Sequence, residues 1–157
     1  MATIRRFEEI HAWQKARELV REIYRTCSDG QMAMDFGIRN QVCRAAVSSM
    51  SNIAEGFRRK TTKEFAHFLD TARGSVNEVR SLLYVALDVH YLEDEEFERL
   101  NRLADETASL IGGLTTYLRQ CAELTESGVT KNDPAGQCAP LGARCVAPRP
   151  RSVTRGI

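Results

Sequence analysis

Carboxylates and histidines recur together at one spacing. Glu8 stands three residues before His11, and Glu64 three residues before His67. Bundles that hold two irons use this Glu-x-x-His spacing on two helices, with a further Glu from each of the other two. Glu55 is placed to be one of those. The second is missing, because no Glu occurs at the matching end of the last helical segment before Glu123. Glu64 also has a simpler use in capping a helix. A di-metal centre is therefore the most remote reading, and no metal or other cofactor is expected. His90 stands alone near a helix end and needs no role. Nucleophilic and nucleotide chemistry find no support: there is no G-x-S-x-G, no P-loop and no G-x-G-x-x-G. The five cysteines, Cys27, Cys43, Cys121, Cys138 and Cys145, are odd in number and widely spaced, with no C-x-x-C. That argues against structural zinc and for plain thiols in a reducing compartment. The chain does not read as an enzyme.

Two surface patterns carry more. Gln41, Arg44, Ser48, Asn52 and Glu55 recur at three, four, four and three residues, which places them on one helix face. Gly74 and Glu78, with Thr71 and Ser81, form a similar line on the next helix. A solvated face usually carries long Lys and Glu side chains. Here small residues and amides dominate, which suits a subunit interface where each polar group finds a partner. The densest positive run, Arg58, Arg59, Lys60 and Lys63, falls at the turn between these two helices. The bland reading is a set of cations at a helix C-terminus, where the dipole favours them. The functional reading is phosphate contact. Repeated around a symmetric assembly, such a patch would create a substantial field.

The elements that must position these residues are helices. All four prolines lie after residue 133, and the first 121 residues contain none. Apolar residues at three- and four-residue spacing predict a first helix from Phe7 to Cys27, broken by Ser28, Asp29 and Gly30. A second begins at Asp35, its N-cap, and runs to about Arg59. Its small residues, Ala45, Ala46, Ser48, Ser49 and Ala54, permit a close neighbour. A third opens on the capping box Thr61-Thr62-Lys63-Glu64 and reaches Val89. Gly74 within it is expected where another backbone passes close. A fourth opens on Glu93-Asp94-Glu95-Glu96, acids matched to the positive end of the helix dipole. Short connections favour antiparallel neighbours. The expected fold is all-α, an up-down-up-down four-helix bundle over residues 1–121. Residues 122–157, rich in Pro and Gly, are expected to be a disordered tail.

Composition limits the function. The chain has 157 residues, 43% hydrophobic and 27% charged, which is ordinary for one globular domain. Its net charge of +1 excludes a polycation that coats nucleic acid by total charge, but not a local patch. That charge is polarised: the basic turn follows the second helix, and the acids open the fourth. An antiparallel bundle puts these at opposite ends. Apolar runs are too short for a membrane span, and the polar N-terminus lacks the apolar region of a secretory signal, so a cytoplasmic protein is expected.

The spacing Phe7-x5-Trp13-x2-Ala16-x2-Leu19-x3-Ile23-Tyr24 is similar to the opening of small bacterial "four helix bundle" proteins, also called 23S rRNA intervening-sequence proteins. Phe36-Gly37-Ile38-Arg39-Asn40-Gln41, Ser51-Asn52-Ile53-Ala54-Glu55-Gly56 and Ala72-Arg73-Gly74-Ser75-x2-Glu78 resemble that family more specifically. The resemblance spans roughly residues 5–120. It implies an antiparallel bundle, a ring-shaped homopentamer and no established enzymatic activity. A related accessory protein of diversity-generating retroelements partners a reverse transcriptase and nucleic acid, but is strongly basic. Residues 1–121 here carry 17 Lys and Arg against 18 Asp and Glu. The turn Ser28-Asp29-Gly30-Gln31-Met32-Ala33-Met34 also departs from the Phe-Pro-containing turn of the family. The leading expectation is a homo-oligomer that binds RNA or a nucleic-acid-bound protein. The alternatives are a protein adaptor without nucleic acid, or a reverse-transcriptase accessory subunit.

Overall fold

The structure is a computed structural model in which residues 4–126 are described. A single 3-10 turn, Phe7–Glu9, precedes five α-helices: α1 His11–Thr26, α2 Gly30–Met34, α3 Phe36–Phe57, α4 Thr62–Asp88 and α5 Asp94–Glu126. The four long ones form the expected antiparallel bundle. α3 packs on α4 and α4 on α5, while α1 packs on α3 and α5. α1 and α4 therefore face each other across the diagonal. The core runs the length of the bundle, with Leu19, Ile23, Val42, Ile53, Leu69, Leu83, Leu100 and Ile111 fully buried.

The helix starts follow from local chemistry. The Asp35 carboxylate accepts from the amides of Gly37 at 3.0 Å and Ile38 at 3.2 Å, the expected N-cap of α3. The Thr61 hydroxyl accepts from the Glu64 amide at 3.1 Å and donates to the Glu64 carboxylate at 2.8 Å. The capping box thus closes hydroxyl to carboxylate rather than carboxylate to backbone. α4 ends at Asp88 and is closed by His90, two residues on, whose φ of 59° is left-handed. The amide of Tyr91 donates to the Ala86 carbonyl and that of His90 to Leu87, the double bond pattern of a Schellman cap. His90 thus has a structural place that its isolation in the sequence hid.

Four expectations need correction. The first helix begins at His11, because Phe7–Glu9 forms a tighter turn that sets the Phe7 ring edge-on to Trp13, centroids 5.2 Å apart. The break after Cys27 contains the short helix α2, which buries Met32 as a plug. Gly74 meets no other backbone: a Cβ there would have open space, and the residue is exposed. The close approach lies at Gly56 instead. A Cβ on Gly56 would come within 2.7 Å of both Phe65 and Phe68. α5 runs to Glu126, so residues 122–126 are helical. The remainder of the expected tail, with Cys138 and Cys145, lies outside the described residues.

These two glycines should respond oppositely to alanine. Gly56→Ala should destabilise by about 1–3 kcal/mol through overpacking. Gly74→Ala should stabilise by up to about 1 kcal/mol, since an exposed helical Gly is the poorer helix former. Urea unfolding of the two variants checks this, and equal shifts would contradict the placement of the close contact.

Candidate functional site

The polar line of α3 meets α4 in a groove of about 660 Å³. Phe36, Asn40, Gln41, Arg44 and Ser48 form one wall, and Glu78 stands on the other. The groove lies beside the core because α3 turns its apolar residues inward at Ile38, Val42, Ala45 and Ala46. Ser48 joins the two helices: its hydroxyl lies 2.9 Å from that of Ser75. Asn52 donates to the Ser48 carbonyl at 2.8 Å and to its hydroxyl at 3.1 Å, which ties it to this corner. Further along, Asn40, Gln41, Arg44 and Glu78 are exposed. Among the described residues their side chains make no hydrogen bond or ion pair. Phe36, 64% exposed, caps one end of the groove with the Arg39 guanidinium 4.5 Å from its ring centroid.

The seven residues expected at an interface thus divide. Gln41, Arg44, Ser48 and Glu78 line one groove, and Asn52 braces it. Gly74 lies exposed on the same helix as Glu78 but outside the groove lining. Glu55 sits away from it, paired with Arg59 at the C-terminal end of α3.

The basic turn is also uneven. Arg58, Lys60 and Lys63 are exposed and make no ion pair among the described residues. Arg59 is spoken for: it pairs with Glu55 and stacks 4.5 Å from the Phe68 ring centroid. At the same end, Lys63 lines a cavity of about 390 Å³ together with His67, Asp70, Arg119 and Glu123. Arg119 forms an ion pair with Asp70 across α4 and α5. His67, four residues after Lys63 on α4, was read only as a candidate metal ligand, and Arg119 escaped the sequence reading because only the α4–α5 register brings it beside Lys63.

The Glu-x-x-His pairs do not converge on a site. Among the described residues no group of three or more His, Cys, Asp or Glu side chains is arranged to hold a metal. Glu8 instead pairs with Arg6 at 2.7 Å, which holds its carboxyl below the usual range. Cys27 and Cys43 are free thiols. Burial first, and the neighbouring Cys43 second, push Cys27 up to about 12. Cys121 is disulfide-bonded, so the plain-thiol reading does not extend to it.

A family model described as "23S rRNA-intervening sequence protein" matches residues 8–113, about two thirds of the chain. The chain belongs to this family. Among solved structures it is similar to "a protein with unknown function from S23 ribosomal protein family" of Bacteroides thetaiotaomicron. That likeness has 22% identity and a TM-score of 0.59, covers 64% of this chain and 94% of the other, and speaks for the fold alone. No curated protein matches. Both descriptions leave function open and indicate no enzymatic family. No helix among the described residues is long and apolar enough to cross a membrane.

Cys27 should resist iodoacetamide in the native protein at pH 8, because its raised pKa keeps it a thiol and burial blocks access. It should react once the chain is unfolded in urea. Peptide mapping reads this directly, and rapid native labelling of Cys27 would contradict its placement.

Proposed function

We propose that this family member is a non-enzymatic, cytoplasmic bundle that self-associates through the α3–α4 groove. The assembly presents its basic turns together to RNA, or to a protein already bound to nucleic acid. The observation that carries the reading is the groove itself. Arg44 and Glu78 are opposite in charge, exposed and without a protein partner among the described residues, and Gln41 and Asn40 present exposed amides beside them. A wall of this kind is completed well by another protein surface with matching donors and acceptors. The family resemblance suggests five copies in a ring. Each copy would then contribute Arg58, Lys60 and Lys63, a field that one turn alone cannot supply. Arg59, held by Glu55, contributes less than its neighbours.

A second reading, an adaptor without nucleic acid, is favoured by one observation. The basic end also holds Glu55, Glu64 and Asp70, and Glu55 and Asp70 already pair with Arg59 and Arg119.

Two measurements test these readings. Sedimentation at micromolar concentration should show an oligomer, and Arg44→Glu or Glu78→Arg should weaken it; a monomeric wild type would overturn self-association. Filter binding of RNA across salt should give a falling affinity with added salt, steeper for wild type than for Arg58→Glu/Lys60→Glu/Lys63→Glu. Salt-independent or absent RNA binding, with one protein partner co-purifying free of RNA, would establish the adaptor instead.

A further inference from the structure

A second basic surface lies on α1, on the far side of the bundle from α4. Arg17, Arg21 and Arg25 recur at four-residue spacing and all three are exposed. Tyr24, 50% exposed, stands between the last two. Arg17 lies 5.8 Å from the centroid of the Trp13 ring, which in turn packs on Phe7. The run Arg58–Lys63 has no aromatic interleaved in its sequence, and the ring its Arg59 meets, Phe68, lies on α4.

The acids of α1 do not cancel this row, because Glu22 is drawn to α5 and Glu18 is held by Lys15. Glu22 accepts from Arg99 of α5 at 2.6 Å, and its side chain is only 14% exposed. Its contact with Arg21 is the looser one, at 3.8 Å. Glu18 pairs with Lys15 at 3.0 Å, and Lys15 reaches Glu106 of α5 at 3.3 Å. Beyond the row, Glu96 accepts from Thr26 at 2.8 Å and also meets Arg99. Asp29 lies past the helix end. Arg17 and Arg25 make no ion pair among the described residues. Glu22 is thus taken up in a bridge between helices and Glu18 by Lys15 within α1, which leaves the guanidinium groups of Arg17 and Arg25 outside and that of Arg21 only loosely engaged.

We infer that this α1 ridge binds single-stranded RNA, with the three arginines on successive phosphates and Tyr24 stacking on a base. From Arg17 to Arg25 the helix rises about 12 Å. A stacked strand carries one phosphate per ~3.4 Å, so the ridge faces roughly three or four of them. Single strands expose base faces to aromatic side chains, whereas duplexes do not. A protein partner fits less well, since beyond Tyr24 the ridge offers no apolar centre of the kind that protein interfaces bury. The ridge is diagonal to α4, so an assembly built through the α3–α4 groove leaves it open.

The inference rests on the RNA reading above, and one experiment separates the two. The full chain is titrated with a fluorescein-labelled oligouridylate of about ten nucleotides, within the usual site size, at several salt concentrations. Arg17→Gln/Arg21→Gln/Arg25→Gln should flatten the slope of log affinity against log salt by about 2, at ~0.7 per lost phosphate contact. Gln is close to Arg in helix propensity, and circular dichroism confirms that the variant is folded. Tyr24→Ala should weaken binding roughly tenfold, and Tyr24→Phe should retain it. The Arg17→Lys/Arg21→Lys/Arg25→Lys variant should keep most of the slope. If wild type binds no oligouridylate, the RNA reading itself fails. If wild type binds and the glutamine variant matches its slope, only the ridge is overturned. If that variant loses self-association in sedimentation with RNA affinity unchanged, the ridge is a protein contact and the inference falls.

Discussion

The crossing of α3 and α4 at Gly56 governs the rest of the molecule. Only Arg58–Thr61 join these helices, so they must touch as soon as the chain reverses. Phe65 and Phe68 fill the space where Gly56 has no side chain, and Phe57 meets Phe65 edge-on at 6.2 Å. Any larger residue at Gly56 would push the first turn of α4 away from the last turn of α3. From that anchor the small residues Ala45, Ala46 and Ser49 keep α3 seated in the core. The Ser48–Ser75 contact, about 12 Å further along α3, fixes the relative register. The groove occupies the stretch beyond it. Its position, and the placing of Glu78 opposite Arg44, are consequences of the register set at the turn.

Charge is distributed by the same packing. α1 and α4 share no side of the bundle, so each turns its charged flank toward α5 and leaves a different outer face to solvent. Arg80 of α4 meets Asn101 and Asp105 of α5, while Glu22 and Lys15 of α1 meet Arg99 and Glu106. Such exposed bridges add little stability, typically under about 1 kcal/mol each. Their larger effect is to decide which charges remain unpaired. On α1 those are Arg17 and Arg25, with Arg21 only loosely paired to Glu22. On the α3–α4 face they are one cation and one anion. An unpaired mixture suits a surface that must match itself or another protein, and an unpaired cation row suits a polyanion.

Much of this was legible in the residues. Apolar periodicity, the absence of proline, the Asp35 cap and the Thr61 hydroxyl cap each read correctly, because every one is a local rule. The groove was legible as a face but not as a cavity: spacing put Gln41, Arg44 and Ser48 in line, while only the α3–α4 register brought Glu78 opposite them. Glu55 joined the line by periodicity and left it by chemistry, drawn to Arg59 four residues on. Gly74 was misread as a close contact, and Gly56, where the close contact lies, drew no reading. Both are helical glycines, and which of them another side chain crosses depends on tertiary geometry alone. The α1 ridge escaped notice for a related reason. Its Arg17, Arg21 and Arg25 are interspersed with Glu18 and Glu22, and the row looks neutral until Glu22 is seen to bridge to α5 and Glu18 to be held by Lys15.

The near-zero net charge bears on none of these surfaces directly. The acids that open α5, Glu93 to Glu96, lie at one end of the bundle, and Arg58, Lys60 and Lys63 at the other. α4, with 27 residues, spans the distance between them, about 40 Å at 1.5 Å per residue. The Debye length at physiological ionic strength is ~8 Å, so the two ends are screened from each other several times over. An approaching ligand samples one end or one face, never the sum. A neutral bundle of this length can therefore carry a basic turn, a mixed groove and an arginine ridge as separate surfaces. The proposed roles of each depend on which charges the helix packing has already consumed, and hardly at all on the total.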